Sequence, residues 1–316
     1  ESSREAAVKY FFAGSTAGAL FLLGMVLHYA ASGTLSLTPA AGPLAEGGLA
    51  LMGAAALFKI GVVPLHFWLP DVYEAASPEL AGFLSTAMKS AAVLLLMRLV
   101  ALSPHSALAS ALPAAGALTM LVAALLALRQ QRLQRLLAYS SISHAGYLVL
   151  GVGAWAARGA APAGALAVFC YLGAYLFMSN GAFAFLRASG VATRAELRGL
   201  ASREPGLAAL FAVILLSLGG IPPTAGFFVK LLVLWDALQA GLYWPALIGA
   251  LAAVLSLGYY LALIRDAYFE SAAAQPAPRA QRRLARLVLL VCALACAVLG
   301  LAPWLITAIA RALVGL

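Results

Sequence analysis

From residue 8 to residue 310 the chain is a succession of apolar runs about twenty residues long, parted by short joints that hold most of its charge. A helix that crosses a bilayer needs about 20 apolar residues. That length rule fixes the fold class as an all-α polytopic membrane protein. Composition agrees, with 64% hydrophobic and 10% charged residues, against roughly 25% charged in soluble domains. Nine spans are predicted, at 8–30, 47–69, 80–101, 112–128, 136–155, 163–187, 206–235, 242–268 and 286–310. They leave no room for a large soluble domain, so residues 1–316 form a single membrane domain. The chain opens "ESSREAAVKYFF", without Met, and enters a helix almost at once, so an N-terminal part of a longer protein is expected to be missing.

A net charge of +9 would suggest nucleic acid in a soluble chain. Here the arginines lie between spans and act as topology signals, and no nucleic-acid partner is expected. Sorting the basic residues by side of the membrane gives fourteen on one side: Arg4, Lys9, Arg129, Arg132, Arg135, Arg187, Arg194, Arg198, Arg203, Arg265, Arg279, Arg282, Arg283 and Arg286. Arg98, Arg158 and Arg311 fall on the other. Cytoplasmic loops carry the excess of Lys and Arg, so the first side is predicted to be cytoplasmic and the C-terminus to face outward. Cys170, Cys292 and Cys296 lie inside apolar runs with no metal or disulfide spacing and read as apolar fillers.

Lysine usage carries the functional signal. The chain has sixteen arginines and four lysines, and three of those lysines, Lys59, Lys89 and Lys230, fall within spans. A charge at a helix centre costs about 2.5–3.5 kcal/mol on insertion scales. Arginine stays charged in any surroundings, whereas lysine gives up its proton when desolvated. Amines that charge and discharge inside a membrane explain the partition. Arg98 lies near the outer end of its span, on the face opposite Lys89, and is expected to snorkel.

Two spans carry prolines in their middle: "LFKIGVVPLHFWLPDVYEAASP", with Gly61 and Pro64, and "SLGGIPPTAGFFVKLLVLW", with Gly219, Gly220, Pro222 and Pro223. A proline removes a backbone N–H, and such a break in lipid needs protein or water to satisfy the freed groups. Paired interrupted helices point to a transport site built on inverted repeats. Lys59 falls about one turn before the end of its first half-helix, where the negative dipole end favours an ammonium. Lys230 lies two turns into its second half-helix, beyond that field. The expectation is that Lys59 holds its proton more tightly.

Further polar groups extend the line. Ser85, Thr86 and Lys89 share one helix face, as do Ser140, His144 and Tyr147. Histidine as a residue type titrates near neutral pH, so the His144 face is read as an entry path from the cytoplasmic end; the competing reading is a histidine bonded to a neighbouring carbonyl. His66 either satisfies the broken backbone or does not. Asp71, Glu74 and Glu79 read as loop or interface charges. No carboxylate lies at the centre of a span, so the three amines need an acid from elsewhere.

"FKIGVVPLHFWLPDVYEAASP", "LLAYSSISHAGYLVLG", "LSLGGIPPTAGFFVKLLVLW" and "GYYLALIRDAYF" resemble the subunit N family of proton-pumping NADH:quinone oxidoreductase, or respiratory complex I, whose mitochondrial counterpart is NADH dehydrogenase subunit 2. Related antiporter-like subunits read Pro-Asp-Ala-His where this chain has Pro70-Asp71-Val72-Tyr73, which favours the N type. The resemblance implies a fourteen-helix fold with two inverted five-helix repeats, of which this chain holds helices six to fourteen. Residues 1–101 would end the first repeat, 112–268 form the second, and 286–310 add a C-terminal helix. It implies that Lys59, Lys89, Lys230 and His144 are the proton relay, and that a glutamate on an earlier helix pairs with Lys59. It also implies no cofactor in this chain, with NADH, FMN, Fe–S clusters and quinone held by partner subunits. The partners would be other complex I membrane subunits, including neighbouring antiporter-like ones, in a bacterial inner membrane. The alternatives are a cation/proton antiporter subunit without a redox partner, and a non-pumping scaffold.

Overall fold

A computed structural model of the chain describes residues 2–271 and 283–314. Arg279 and Arg282 lie outside the described residues. The first broken span is α2 (Pro43–Ile60) and α3 (Leu69–Ala75), preceded by α1 (Ser2–Ser32). Next, α4 (Pro78–Phe83), a π turn (Leu84–Met88) and α5 (Lys89–Leu102) form one rod. Three long helices follow, α6 (Ala107–Ala127), α7 (Leu133–Ala157) and α8 (Leu166–Ser189), then two single turns, α9 (Arg194–Leu197) and α10 (Leu200–Arg203). The second broken span is α11 (Pro205–Gly219) and α12 (Ala225–Gln239), and α13 (Tyr243–Tyr268), α14 (Arg283–Leu301) and α15 (Pro303–Val314) complete the chain. Among the described residues, eight rods are each long and apolar enough to cross a membrane. The α11–α12 pair is the ninth predicted span.

Local chemistry sets the ends. Ser77 caps α4 by accepting from the Leu80 N–H, with Pro78 at the first helical position. Ser106 caps α6 in the same way through Ala109 N–H. That cap starts α6 five residues earlier than predicted and leaves Pro113 inside the helix. The predicted span 286–310 is corrected to two helices, because Pro303 opens α15 at its first position.

The centre of the bundle is α7. Buried residues make up 94% of its most apolar window, against 11% for α1 and 22% for α14. An apolar helix can be surrounded by protein or by lipid, and α7 is the one surrounded by protein. Its polar residues therefore have to find partners on α5, α8, α12 and α13.

The charge sorting is visible at the helix ends. Lys9 Nζ meets Asp71 Oδ2 at 2.8 Å, and Arg135 bridges Asp71 and Glu74 at 2.9 and 2.8 Å. Arg132 also pairs with Glu74, Arg187 with Glu79, Arg194 with Asp266 and Arg286 with Glu204. Arg158 pairs with Asp236 at the opposite end. Arg98 is exposed there and donates to the Leu37 carbonyl at 3.1 Å, as a snorkelling arginine does. Cys170, Cys292 and Cys296 are free and buried.

Asp71 ties α1 to α7 through α3. Burial pushes its carboxyl up, but hydrogen bonds from Lys9 and Arg135 outweigh this and hold it below its ordinary 3.8. A depressed carboxyl stabilises the fold above its unfolded pKa, and that contribution fades as pH falls through the folded value. Asp71→Asn is expected to lower the thermal midpoint at pH 7. The gap to the parent should close as pH is taken below 3.8; a gap independent of pH would argue against this clasp.

Candidate functional site

The two breaks are built alike. Gly61 and Gly220 both adopt the left-handed conformation, at φ 85° and 83°, and end their half-helices. Gly61 N–H returns to the carbonyls of Leu57 and Phe58, and Gly220 N–H to those of Leu216 and Ser217. Val62 N–H then reaches Leu57 and Ile221 N–H reaches Leu216, five residues back. This is one and the same C-terminal capping motif, followed in each case by a cis Xaa–Pro bond. Only glycine takes that φ at no steric cost.

Lys230 resolves the second break. In a continuous helix the carbonyl of residue 218 would accept from residue 222, and that of 219 from 223. Both donors are prolines and have no N–H. The Lys230 amine donates to those two carbonyl oxygens, Leu218 at 2.7 Å and Gly219 at 3.0 Å. It reaches back across the break from the second turn of α12, which Gly226 allows to start hard against α11. A Cβ on Gly226 would lie 1.7 Å from the Ser217 carbonyl oxygen. The dipole argument made from sequence is therefore corrected: the Lys230 amine, like Lys59, stands at the negative end of a first half-helix.

Lys59 is the second-last residue of α2 and only half-buried. Its amine lies 5.2 Å from the centroid of the Tyr10 ring and 5.9 Å from that of Phe58. It faces a cavity of about 420 Å³ lined by residues of α1, α2 and α5, among them Ala17, Phe21, Ala56 and Leu95. At this break Thr119 Oγ1 accepts from Val63 N–H at 3.1 Å, and Trp68 Nε1 joins Gly61 N–H on the Phe58 carbonyl, at 3.2 Å.

Lys89 is 1% exposed. Its amine donates to Ser141 twice, to the carbonyl and to Oγ, both at 2.6 Å. Tyr175 also donates to Ser141 Oγ, at 2.9 Å, and the Tyr175 ring lies 5.7 Å from the Lys89 amine. The Ser85, Thr86 and Lys89 face meets α8, where Ser85 bonds Ser179 and Asn180 donates to Thr86. The π turn from Leu84 to Met88, a wider turn of a kind frequent at functional sites, carries that face.

His144 is buried between the two inner lysines. Its Nδ1 bonds the Tyr171 hydroxyl at 2.7 Å rather than a carbonyl. Its ring lies 5.2 Å from that of Tyr175 and 6.4 Å from that of Tyr147. Tyr147 in turn lies under the Lys230 amine, 5.5 Å from Nζ, and stacks on Tyr171 at 5.8 Å. The structure thus brings Lys89, His144 and Lys230 together through tyrosines 147, 171 and 175 and leaves Lys59 on the open flank. Among the described residues no carboxylate pairs with any of these three lysines. Ser140 and Tyr147 turn to α13, bonding Tyr260 and the Gly249 carbonyl, so the predicted Ser140–His144–Tyr147 face does not form a single hydrogen-bonded path. Sequence reasoning missed Ser141, Tyr171, Tyr175 and Thr119; their one prior mark is a polar side chain inside an apolar run.

Residues 1–256 match the family described as NADH:quinone oxidoreductase/Mrp antiporter, transmembrane. The chain is 39% identical over 317 aligned positions to the NADH-quinone oxidoreductase subunit N of Xanthomonas euvesicatoria, with 94% of this chain and 63% of that protein covered. Among solved structures it is similar to a chain of respiratory complex I from Thermus thermophilus with bound aureothin, at 36% identity and TM-score 0.81, covering 96% of this chain and 68% of that one. A chain of the Mrp complex of Dietzia sp. DQ12-45-1b superposes at TM-score 0.88 with 22% identity, covering 97% and 66%. The last likeness is one of fold alone.

Removing the Lys230 amine orphans two buried carbonyls, at about 1–3 kcal/mol each. Lys230→Met is therefore expected to destabilise the assembled protein by a few kcal/mol, read as a lowered thermal midpoint, whereas Lys59→Met leaves it close to the parent. Equal effects from the two substitutions would contradict the contrast.

Proposed function

This chain belongs to the NADH:quinone oxidoreductase/Mrp antiporter transmembrane family, and from that premise we propose that it is the antiporter-like subunit N of complex I and carries protons through a mid-membrane line of amines. Electron transfer, with NADH, FMN, Fe–S clusters and quinone, belongs to partner subunits. Residues 1–101 close a first repeat and 112–268 make the second; the matching caps at Gly61 and Gly220 support this division. The arginine-rich end faces the cytoplasm of a bacterial cell, by the charge rule.

The observation that carries the reading is the pair of inner lysines, each with two hydrogen-bond acceptors. An ammonium has three donors and a neutral amine has two. Either protonation state therefore satisfies both acceptors, and the third proton can leave without orphaning a backbone group. His144 and its tyrosines link the two amines. Lys59, beside its cavity, is the station that an acid outside this chain can pair with. A proton on one amine opposes a proton on the next in a medium of low dielectric, so charging a station pushes its neighbour's proton onward.

The family as described takes in Mrp antiporter as well as NADH:quinone oxidoreductase chains, which gives a second reading, a cation/proton antiporter subunit. Val72 and Tyr73 speak for the N type. Co-purification of the full-length chain with flavin and Fe–S subunits supports the first reading, and sodium-stimulated proton flux supports the second.

Lys→Arg is the discriminating substitution, because arginine keeps the charge and the donors but does not discharge. Lys89→Arg and Lys230→Arg are expected to leave the complex assembled while cutting proton flux at least tenfold through this subunit. Flux equal to the parent's in an assembled complex would overturn the proposal, and would leave the amines as structural caps.

A further inference from the structure

The second half-helix at the second break starts without a cap of its own. The first N–H groups of a helix have no partner within it, and a threonine at the N-cap ordinarily meets one of them. Thr224 holds that place in α12, but its hydroxyl turns away and donates to the Ile221 carbonyl at 2.7 Å. The Gly226 N–H is met instead by Ser217 Oγ, at 3.2 Å. Ser217 is fully buried in the last turn of α11, so the cap of α12 comes from across the break. Ser217 also directly precedes Leu218 and Gly219, whose carbonyls hold the Lys230 amine. Gly226 and Lys230 are four residues apart and share one face of α12. That face meets residues 217–219 through one backbone N–H and two amine bonds. α14 braces the joint as well. A Cβ on Gly300 would lie 2.3 Å from the Pro223 carbonyl oxygen and 2.4 Å from Thr224 Cα, and the Cys296 thiol, one turn earlier, faces Ser217.

The first break lacks this joint. Its cap aligns with the second residue for residue, Leu57 with Leu216 and Gly61 with Gly220, which sets Phe58 where the second break has Ser217. Phe58 has no side-chain acceptor and stacks on Trp68 at 5.4 Å, and Lys59 does not reach back.

We propose that Ser217 is a positioning residue for Lys230: its hydroxyl sets the two half-helices in the one register at which the amine reaches both carbonyls. This rests on the reading that Lys230 carries a proton. A lysine side chain is a flexible four-carbon stem, so its geometry is fixed by where its helix stands. A slide of α12 by one residue, about 1.5 Å, would break at least one of the two amine bonds. The Gly226-to-Ser217 bond opposes that slide. It joins a backbone N–H to a hydroxyl, and neither partner carries charge. The tether therefore holds in both protonation states of Lys230, and the amine returns to the same acceptors each time it gains or loses a proton.

The test uses the assembled complex in sealed vesicles, with proton flux measured per complex and across pH. Ser217→Ala removes the acceptor, and Ser217→Cys nearly keeps the volume with a weaker one. Flux is expected to fall in the order parent, cysteine, alanine, with alanine roughly fivefold below the parent, the range of one lost hydrogen bond. The pH of half-maximal flux should move as well, since the groups bonded to an amine set where it titrates. A packing role alone would lower the thermal midpoint and leave that pH unchanged, and such a result would overturn the proposal. Should alanine leave no assembled complex, the cysteine variant decides by the same two readouts. If Lys230→Arg stops flux while the Ser217 variants pump like the parent, the positioning role falls and the proton-carrying reading stands. If Lys230→Arg itself pumps like the parent, the underlying reading falls.

Discussion

A backbone carbonyl in hydrocarbon has no water to turn to, and the architecture depends on how two broken helices meet that constraint. At the second break the solution is Lys230. Two prolines withdraw the donors for the Leu218 and Gly219 carbonyls, and the amine supplies them. The same nitrogen is thus a structural cap and the group whose charge the proposed function requires to change. These roles are compatible because two carbonyls need two donors and a neutral amine still has two. A lysine with three acceptors would be locked in its charged form. Lys89, with its two acceptors on Ser141, obeys the same count.

The first break solves the same problem with different atoms, and the difference bears on function. Thr119 and Trp68 bond the backbone there, and Lys59 faces a cavity instead of reaching back across the break. Its neighbours are the Tyr10 and Phe58 rings, whose faces attract a cation but offer no proton acceptor. One break therefore commits its lysine to the interior of the chain and the other leaves its lysine facing outward. Two matching caps thus serve two different lysine placements, one bordering the bundle interior and the other its flank.

Span placement was legible because length and hydropathy suffice for it, and the sidedness of the arginines survives as ion pairs clustered by end. The errors were local. Ser106 outweighed Pro113 in starting α6, and Pro303 divided the last predicted span. The site was only half legible. One-face relations along a single helix, such as Ser85, Thr86 and Lys89, are written in the spacing. Partners on other helices are not: Ser141 lies 52 positions from Lys89, and Tyr260 lies 120 from Ser140. The dipole argument for Lys230 failed for a related reason. It used the position of the Cα, whereas the long side chain carries the charge back across the break to a different helix end.

The fold itself cannot decide the chemistry, since a chain of an Mrp complex superposes on this one at TM-score 0.88 and one fold hosts several functions. The decision has to come from side chains, and Tyr73 is the clearest of these. It is fully buried, packs edge-on against Phe183 at 6.0 Å, and its hydroxyl has no hydrogen-bond partner. It faces Tyr175 and Ser141, the residues that hold the Lys89 amine. An unpaired buried hydroxyl costs about 1–3 kcal/mol, so a residue whose only role was packing would be phenylalanine. Tyr73 thus lies beside the two residues that hold the Lys89 amine, Ser141 by hydrogen bonds and Tyr175 by its ring face.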